Sequence, residues 1–212
     1  MLWIIITIVI SYLLGSIPTA YLFVRWLKGA DIRKIGSGNV GATNALRILG
    51  KGPGLLVLAL DIFKGFIAVF LLGNLIAPKI TLVQDETLRM LLGLSCISGH
   101  NWTIFLKFKG GKGVATTLGV LLALAVQIKT LRLILALMIL TWLLIFLFFR
   151  IVSLASVLAG IALPAYTIIF KQSALLIFSA FILCAFILLR HRPNLIRLFQ
   201  GKEPRQTFGK TK

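Results

Sequence analysis

Residues 36–47 read Gly-Ser-Gly-Asn-Val-Gly-Ala-Thr-Asn-Ala-Leu-Arg. Gly36, Gly38 and Gly41 permit tight turns in which successive backbone N–H groups converge on an anion. Ser37, Asn39, Thr43 and Asn44 add hydrogen-bonding side chains. Arg47 adds a planar, permanently charged fork that matches phosphate. This combination suits a phosphorylated ligand. The first six residues also satisfy G-x-G-x-x-G, but the dinucleotide fingerprint requires a strand before it and a helix after it within a βαβ unit. Here a long apolar run precedes the glycines. The acidic residue at the appropriate distance, Asp61, lies inside another apolar run with Lys64 three positions on. That context excludes the nucleotide reading. A flexible polar turn between two spans is the competing explanation.

A second glycine-rich stretch, Lys109-Gly110-Gly111-Lys112-Gly113, could also receive an anion. It is not a Walker A loop, because Gly113 stands where Ser or Thr should follow the lysine. Basic decoration of a loop between spans explains it equally well. His100 and Asn101 lie just before it. Near the C-terminus, His191, Asn194 and Arg197 recur at a spacing of three, a single helical face if the segment is helical, with Arg192 beside them. Asp61 and Lys64 are ionisable groups within a span. Such groups face the interior of a bundle or a polar cavity, either as a structural ion pair or as the floor of a site.

The chemistry available to these residues is limited. There are two histidines, His100 and His191, too few for a convincing metal centre. The carboxylates number five, neither histidine is followed by an Asp at the His-x4-Asp spacing, and Ser37 lacks a Ser-His-Asp partner set. No metal or cofactor is expected. An enzyme of this kind must act on an already activated substrate and contribute positioning and positive charge.

The elements that carry these residues are membrane helices. The chain has 212 residues, is 59% hydrophobic and 13% charged, and has a mean hydropathy of +1.02. Soluble domains run at about 45–50% apolar and about 25% charged. Seven apolar runs approach the length of a span, about 20 residues: 2–24, 53–77, 88–106, 114–128, 131–149, 151–170 and 174–189. The first is too long and too poorly flanked for a cleaved signal peptide. The short fourth run also fits a tilted or partly re-entrant helix, which leaves five or six spans open. An all-α polytopic protein follows, with one domain over residues 1–212 and no internal repeat. Cys96 and Cys184 lie in apolar runs and read as packing residues. The net charge of +18 fits basic loops on one membrane face better than nucleic-acid binding. With seven spans, seventeen Lys and Arg residues, including Lys210 and Lys212, fall on one side and five on the other, with Lys64 within a span. The N-terminus is therefore expected outside. The C-terminus and the segments 28–52, 107–113 and 190–205 are expected in the cytoplasm.

Taken in order, GSIP at 15–18, IGSGNVGATNALRILG at 35–50, LDIFKG at 60–65, GHNWTIFLKFKGGKGVATTLG at 99–119 and RHRPNLIRLFQGKE at 190–203 resemble the bacterial membrane-integral acyl-phosphate:glycerol-3-phosphate acyltransferases over nearly the whole chain. The resemblance implies a seven-helix inner-membrane fold with its site on the cytoplasmic side and no metal. It also implies transfer of an acyl chain from acyl phosphate to the 1-hydroxyl of glycerol 3-phosphate, giving lysophosphatidic acid and phosphate. It makes Ser37, Arg47 and Lys112 the ligands of glycerol 3-phosphate, with His191 and Asn194 toward the glycerol portion. Gly36, Gly38, Asn39, Gly41, Thr43, Asn44, Lys109, Gly110 and Gly111 would form the substrate loops. Asp61, Lys64, His100 and Arg192 would support them. No protein base is implied; a phosphate oxygen of the donor would accept the hydroxyl proton. The chain departs from the family's usual pattern at Asn101-Trp102-Thr103, where relatives often carry Pro, so the orientation of His100 is left open. The implied partners are the two substrates and the bilayer, with no nucleic acid and no obligatory protein partner. An organic-phosphate transporter would share the basic loops, but would place its polar residues near the bilayer midplane and show a repeat. A lipid-binding protein with a polybasic tail leaves residues 36–47 unexplained.

Overall fold

The computed structural model describes residues 1–80 and 82–206; Lys210 and Lys212 of the basic tail lie outside them. Among the described residues the regular structure is helical throughout. The chain divides into two compact units, the first Met1–Ile128 and the second beginning at Lys129.

The first unit contains α1 (Leu2–Ser16), α2 (Thr19–Lys28), α3 (Ala42–Leu49), α4 (Lys51–Ile76), α5 (Asp85–Asn101) and α6 (Val114–Gln127). The second contains α7 (Lys129–Phe149), α8 (Val152–Ile169) and α9 (Ala174–Phe199). Five segments are long and apolar enough to cross a membrane: Leu2–Lys28, Lys51–Lys79, Lys129–Phe149, Val152–Ile169 and Ala174–Phe199. The third and fourth predicted spans are the shorter helices α5 and α6. All seven predicted spans therefore appear as helical segments. At 14 residues, α6 rises only about 21 Å at 1.5 Å per residue, short of a hydrocarbon core of about 30 Å.

Three boundaries differ from the sequence reading, each for a local reason. The first span is broken at Ile17-Pro18, because Pro18 has no N–H to donate and its ring cannot follow a helical turn. The loop 28–52 contains α3, whose residues Ala42 and Ala45 are buried against Ala20, Val24 and Val57. The last helix continues through Pro193 to Phe199, ten residues beyond the predicted end at Leu189.

Lipid tails are as apolar as leucine, so membrane helices associate through close packing of small residues. Gly15 of α1 lies against the Cys96 backbone of α5, and Gly99 of α5 against the Tyr12 carbonyl of α1. Gly119 of α6 meets the Ile62 carbonyl of α4, and Gly65 of α4 meets the Thr116 carbonyl of α6. A methyl group at any of these positions would collide with backbone. These contacts bring the break at Ile17, the middle of α4, the end of α5 and the start of α6 into one region of the first unit.

Candidate active site

The loop 36–41 is held from within by Asn44. This side chain is fully buried. Its Oδ1 accepts the Ser37 N–H at 2.9 Å, and its Nδ2 donates to the carbonyls of Asn39 (3.1 Å), Ile35 (3.2 Å) and Ile32 (3.4 Å). Asn44 therefore shapes the loop, and its amide is directed at that loop's backbone. Gly36 turns with φ +61° and Gly38 with φ +71°. A side chain at Gly36 would strike Asn44 Oδ1. The brace and the left-handed turn thus require each other, and the loop leaves Ser37 exposed. Asn39 and Thr43 are half-buried and Gly41 is buried.

Arg47 lies in the last turn of α3. It is exposed, because the buried face of that helix is carried by Ala42, Asn44 and Ala45. Its guanidinium makes no hydrogen bond or ion pair among the described residues. Arg33 provides the contrast. It donates to Asp31 through Nη2 at 2.6 Å and through Nε at 3.0 Å, and lies 5.5 Å from the Tyr21 ring centroid. Its guanidinium beside Asp31, with the Arg33 backbone N–H, lowers that carboxyl to about 2. Of these two arginines only Arg47 keeps its donors for a ligand.

The second glycine loop folds back on the end of α5. The Gly110 N–H donates to the Asn101 carbonyl at 3.2 Å and the Gly111 N–H to the His100 carbonyl at 3.0 Å. Both glycines are buried, Lys112 is half-buried and Lys109 is exposed. A Cβ at Gly111 would collide with His100 Nε2 and lie 2.8 Å from the Val40 carbonyl. Gly111 therefore packs on both the His100 ring and the Val40 carbonyl of the first loop.

Beneath this junction lies a buried polar network. Asp61 Oδ1 pairs with Lys64 Nζ at 2.9 Å, accepts the Thr19 hydroxyl at 2.6 Å and faces His100 Nδ1 at 3.6 Å. Lys64 also donates to the Ile17 carbonyl at 2.9 Å, and the Thr103 hydroxyl donates to the Ser16 carbonyl at 2.5 Å. Both carbonyls are released by the break at Pro18, which explains GSIP: the helix opens and distant side chains take up its acceptors. Ser16, Ile17, Pro18, Thr19, Val40, His100, Thr103, Gly110 and Gly111 line a narrow cleft above the network. The pairing of Asp61 with Lys64 was legible in the sequence; the parts played by Thr19 and Thr103 were not.

The second unit holds a polar cluster of its own. His191 and Asn194 are buried on one face of α9, at 2% and 7% exposure, as their spacing predicts, while Arg192 is exposed. His191 Nδ1 bonds the Ile187 carbonyl at 2.8 Å. A carbonyl can only accept, so Nδ1 carries the proton. Glu203, which the sequence reading assigned no role, is the hub. It accepts from Asn194 Nδ2 at 2.6 Å, Ser153 Oγ at 2.7 Å and Arg197 Nε at 2.8 Å. The available signal was a lone carboxylate in a basic tail. Burial alone would raise the Glu203 carboxyl, but the hydrogen bonds from Asn194, Ser153 and Arg197 and the charge of Arg197 outweigh it and lower its pKa. A depressed folded-state pKa adds stability above the unfolded pKa, and that stability is lost as pH falls through the folded value. Glu203→Gln is expected to destabilise the protein by about 1–3 kcal/mol at neutral pH and to flatten the acid limb of its stability profile. Thermal unfolding from pH 7 downward measures both, and an unchanged acid limb would remove Glu203 as the anchor.

Among the described residues no group of three or more His, Cys, Asp or Glu side chains could hold a metal. The arrangement supplies an ordered loop with exposed hydroxyl and guanidinium groups, and a second loop carrying Lys112.

Comparison with known proteins shows the family. The sequence profile described as glycerol-3-phosphate acyltransferase matches residues 5–201. A glycerol-3-phosphate acyltransferase of Prochlorococcus marinus is 46% identical over 202 residues, covering 94% of this chain and 92% of the relative. A second, from Moorella thermoacetica, is 45% identical, covering 93% and 95%. The crystal structure of PlsY (YgiH), an integral membrane glycerol 3-phosphate acyltransferase, in its glycerol 3-phosphate form superposes with a TM-score of 0.83 at 38% identity, covering 96% of both chains. Its lysophosphatidic acid form gives a TM-score of 0.80. With a matched profile over nearly its whole length, this multi-pass membrane chain belongs to the glycerol-3-phosphate acyltransferase family.

Proposed function

We propose that the protein acylates the 1-hydroxyl of glycerol 3-phosphate using acyl phosphate, releasing lysophosphatidic acid and orthophosphate. The observation that carries this reading is the commitment of four of the five carboxylates. Asp31 is held by Arg33, Asp61 by Lys64 and Thr19, Asp85 by Arg89, and Glu203 by Asn194, Ser153 and Arg197. The Asp61 carboxylate to which His100 turns is buried, at 1% exposure. A donor that carries its own leaving group and its own proton acceptor suits such a site.

The glycerol hydroxyl oxygen attacks the acyl carbonyl carbon. The bond between that carbon and the bridging phosphate oxygen breaks, and phosphate departs with the electron pair. The hydroxyl proton passes to a phosphate oxygen, so the step balances without a protein base. Ser37, Arg47 and Lys112 hold the phosphate of glycerol 3-phosphate. Gly36, Gly38, Asn39, Gly41 and Thr43 form the surface of the first loop, and Lys109, Gly110 and Gly111 that of the second. Asp61, Lys64 and His100 hold the two loops in register. Positioning and fixed positive charge are the protein's contribution. The imbalance of loop cations supports a site facing the cytoplasm, where the phosphorylated substrates would meet it while the acyl chain stays in the bilayer.

The test supplies purified protein with glycerol 3-phosphate and either palmitoyl phosphate or palmitoyl-CoA. Lysophosphatidic acid is expected from the first donor only. Equal turnover of the thioester would overturn the donor assignment.

A further inference from the structure

We propose that the N-terminus of α6 contains a closed hydration site, formed by Asn101, Thr116 and Thr117, whose ordered water fixes the loop that carries Lys112. Asn101 and Thr116 are 0% exposed and Thr117 is 3% exposed. Neither polar atom of the Asn101 amide, nor either threonine hydroxyl, has a hydrogen-bond partner among the described residues.

The Asn101 amide lies against Gly113, and Thr116 and Thr117 stand one turn further along α6. The main-chain carbonyl of Asn101 already accepts the Gly110 N–H. Its side chain lies against Gly113, where a Cβ would stand 2.7 Å from Oδ1 and 3.2 Å from Nδ2. Gly113 caps α6 with φ +75° and offers no side-chain acceptor. Thr116 and Thr117 follow at i+3 and i+4, on the Gly113 side of the helix. Helical Cα–Cβ bonds tilt toward the N-terminus, so both side chains start out toward the turn that Asn101 packs against. The first N–H groups of a helix also lack intrahelical partners.

Buried polar groups without partners are costly, and native interiors satisfy them with protein or ordered water. Internal water requires two to four polar neighbours, which this turn provides. Its near-complete enclosure excludes a phosphate-sized ligand. The mechanical consequence follows from the chain path. Gly110 is fastened to the Asn101 carbonyl, Gly111 to the His100 carbonyl, and Gly113 rests on the Asn101 amide. Lys112 lies between these fixed points. Water that orients the amide therefore limits the excursions of Lys112.

The functional part of this inference rests on the reading of Lys112 as a phosphate ligand, and the test keeps the two apart. A high-resolution crystal structure of the protein in lipid is expected to show ordered water bonded to the Asn101 amide and the threonine hydroxyls. The isosteric variants Thr116→Val and Thr117→Val, and Asn101→Leu, are expected to lose that density. They should raise KM for glycerol 3-phosphate by about fivefold, with a smaller change in kcat. A dry pocket in the parent protein, or parental KM in all three variants, would overturn the proposal. The valine variants keep the test open if Asn101→Leu fails to fold. A parental KM in Lys112→Ala, with the water still in place, would overturn the phosphate role of Lys112 and leave the hydration site standing.

Discussion

Arg47→Ala lowers kcat/KM for glycerol 3-phosphate by about 10- to 150-fold while the protein inserts and unfolds as the parent does. The range follows from the worth of a hydrogen bond to a charged group, about 1.5–3 kcal/mol, at about 1.4 kcal/mol per tenfold. The separation of activity from stability follows from the placement of Arg47. It is exposed, it makes no side-chain bond among the described residues, and α3 packs through its opposite face. Surface substitutions of that kind change stability by about 0.5 kcal/mol or less. Arg47→Lys retains the charge but loses the planar fork, so it also falls well below the parent. Steady-state kinetics on both variants, with size-exclusion and thermal profiles alongside, provide the check. Parental efficiency in Arg47→Ala would remove the residue from the site and reduce it to one basic loop residue among many.

The second large effect concerns the network below the cleft. Asp61→Leu leaves the Lys64 ammonium buried, at 5% exposure, with only the Ile17 carbonyl to bond among the described residues. Breaking a buried ion pair on one side costs about 3–5 kcal/mol, whereas removing both charges is far milder. The double variant Asp61→Leu, Lys64→Met is therefore expected to be more stable than Asp61→Leu alone. It should nevertheless stay impaired in turnover. Restoring the charge balance does not restore the carboxylate that Thr19 and His100 face, and His100 is the side chain on which Gly111 packs. Unfolding midpoints and kcat/KM of both variants separate these effects. Full recovery of activity in the double variant would show that the pair serves stability alone.

These two predictions also show what could be read in the chain before its structure. The apolar runs are long and their flanking cations asymmetric, so helices and spans were legible from residue type alone. The two glycine loops stood out because glycines and cations cluster in them, joined in the first by hydroxyls and amides, but residue type alone did not separate an anion site from a flexible basic turn. What was hidden depends on which surfaces meet. α3 disguises itself as loop because it is only eight residues long and follows a Gly-, Ser- and Asn-rich stretch, although Ala42, Ala45, Ile48 and Leu49 give it an apolar face that packs with residues of α2 and α4. Asn44 reads as a ligand donor, and only its burial reveals that it braces the turn. Ile17 and Ser16 matter through carbonyls that Pro18 releases, and no sequence pattern shows that Lys64 and Thr103 will take them. Glu203 lies nine residues beyond Asn194 in a basic stretch, and only the return of the chain after α9 brings them together.

The most direct test of the account uses purified protein in lipid, glycerol 3-phosphate, and an acyl phosphate whose bridging oxygen is isotopically heavy. Attack of the glycerol hydroxyl on the acyl carbon, with phosphate as leaving group, predicts lysophosphatidic acid and orthophosphate in equal amounts. All of the heavy oxygen is then recovered in the orthophosphate and none in the lipid. Heavy oxygen in the lipid product, or no lipid product until a thioester donor is added, would contradict it.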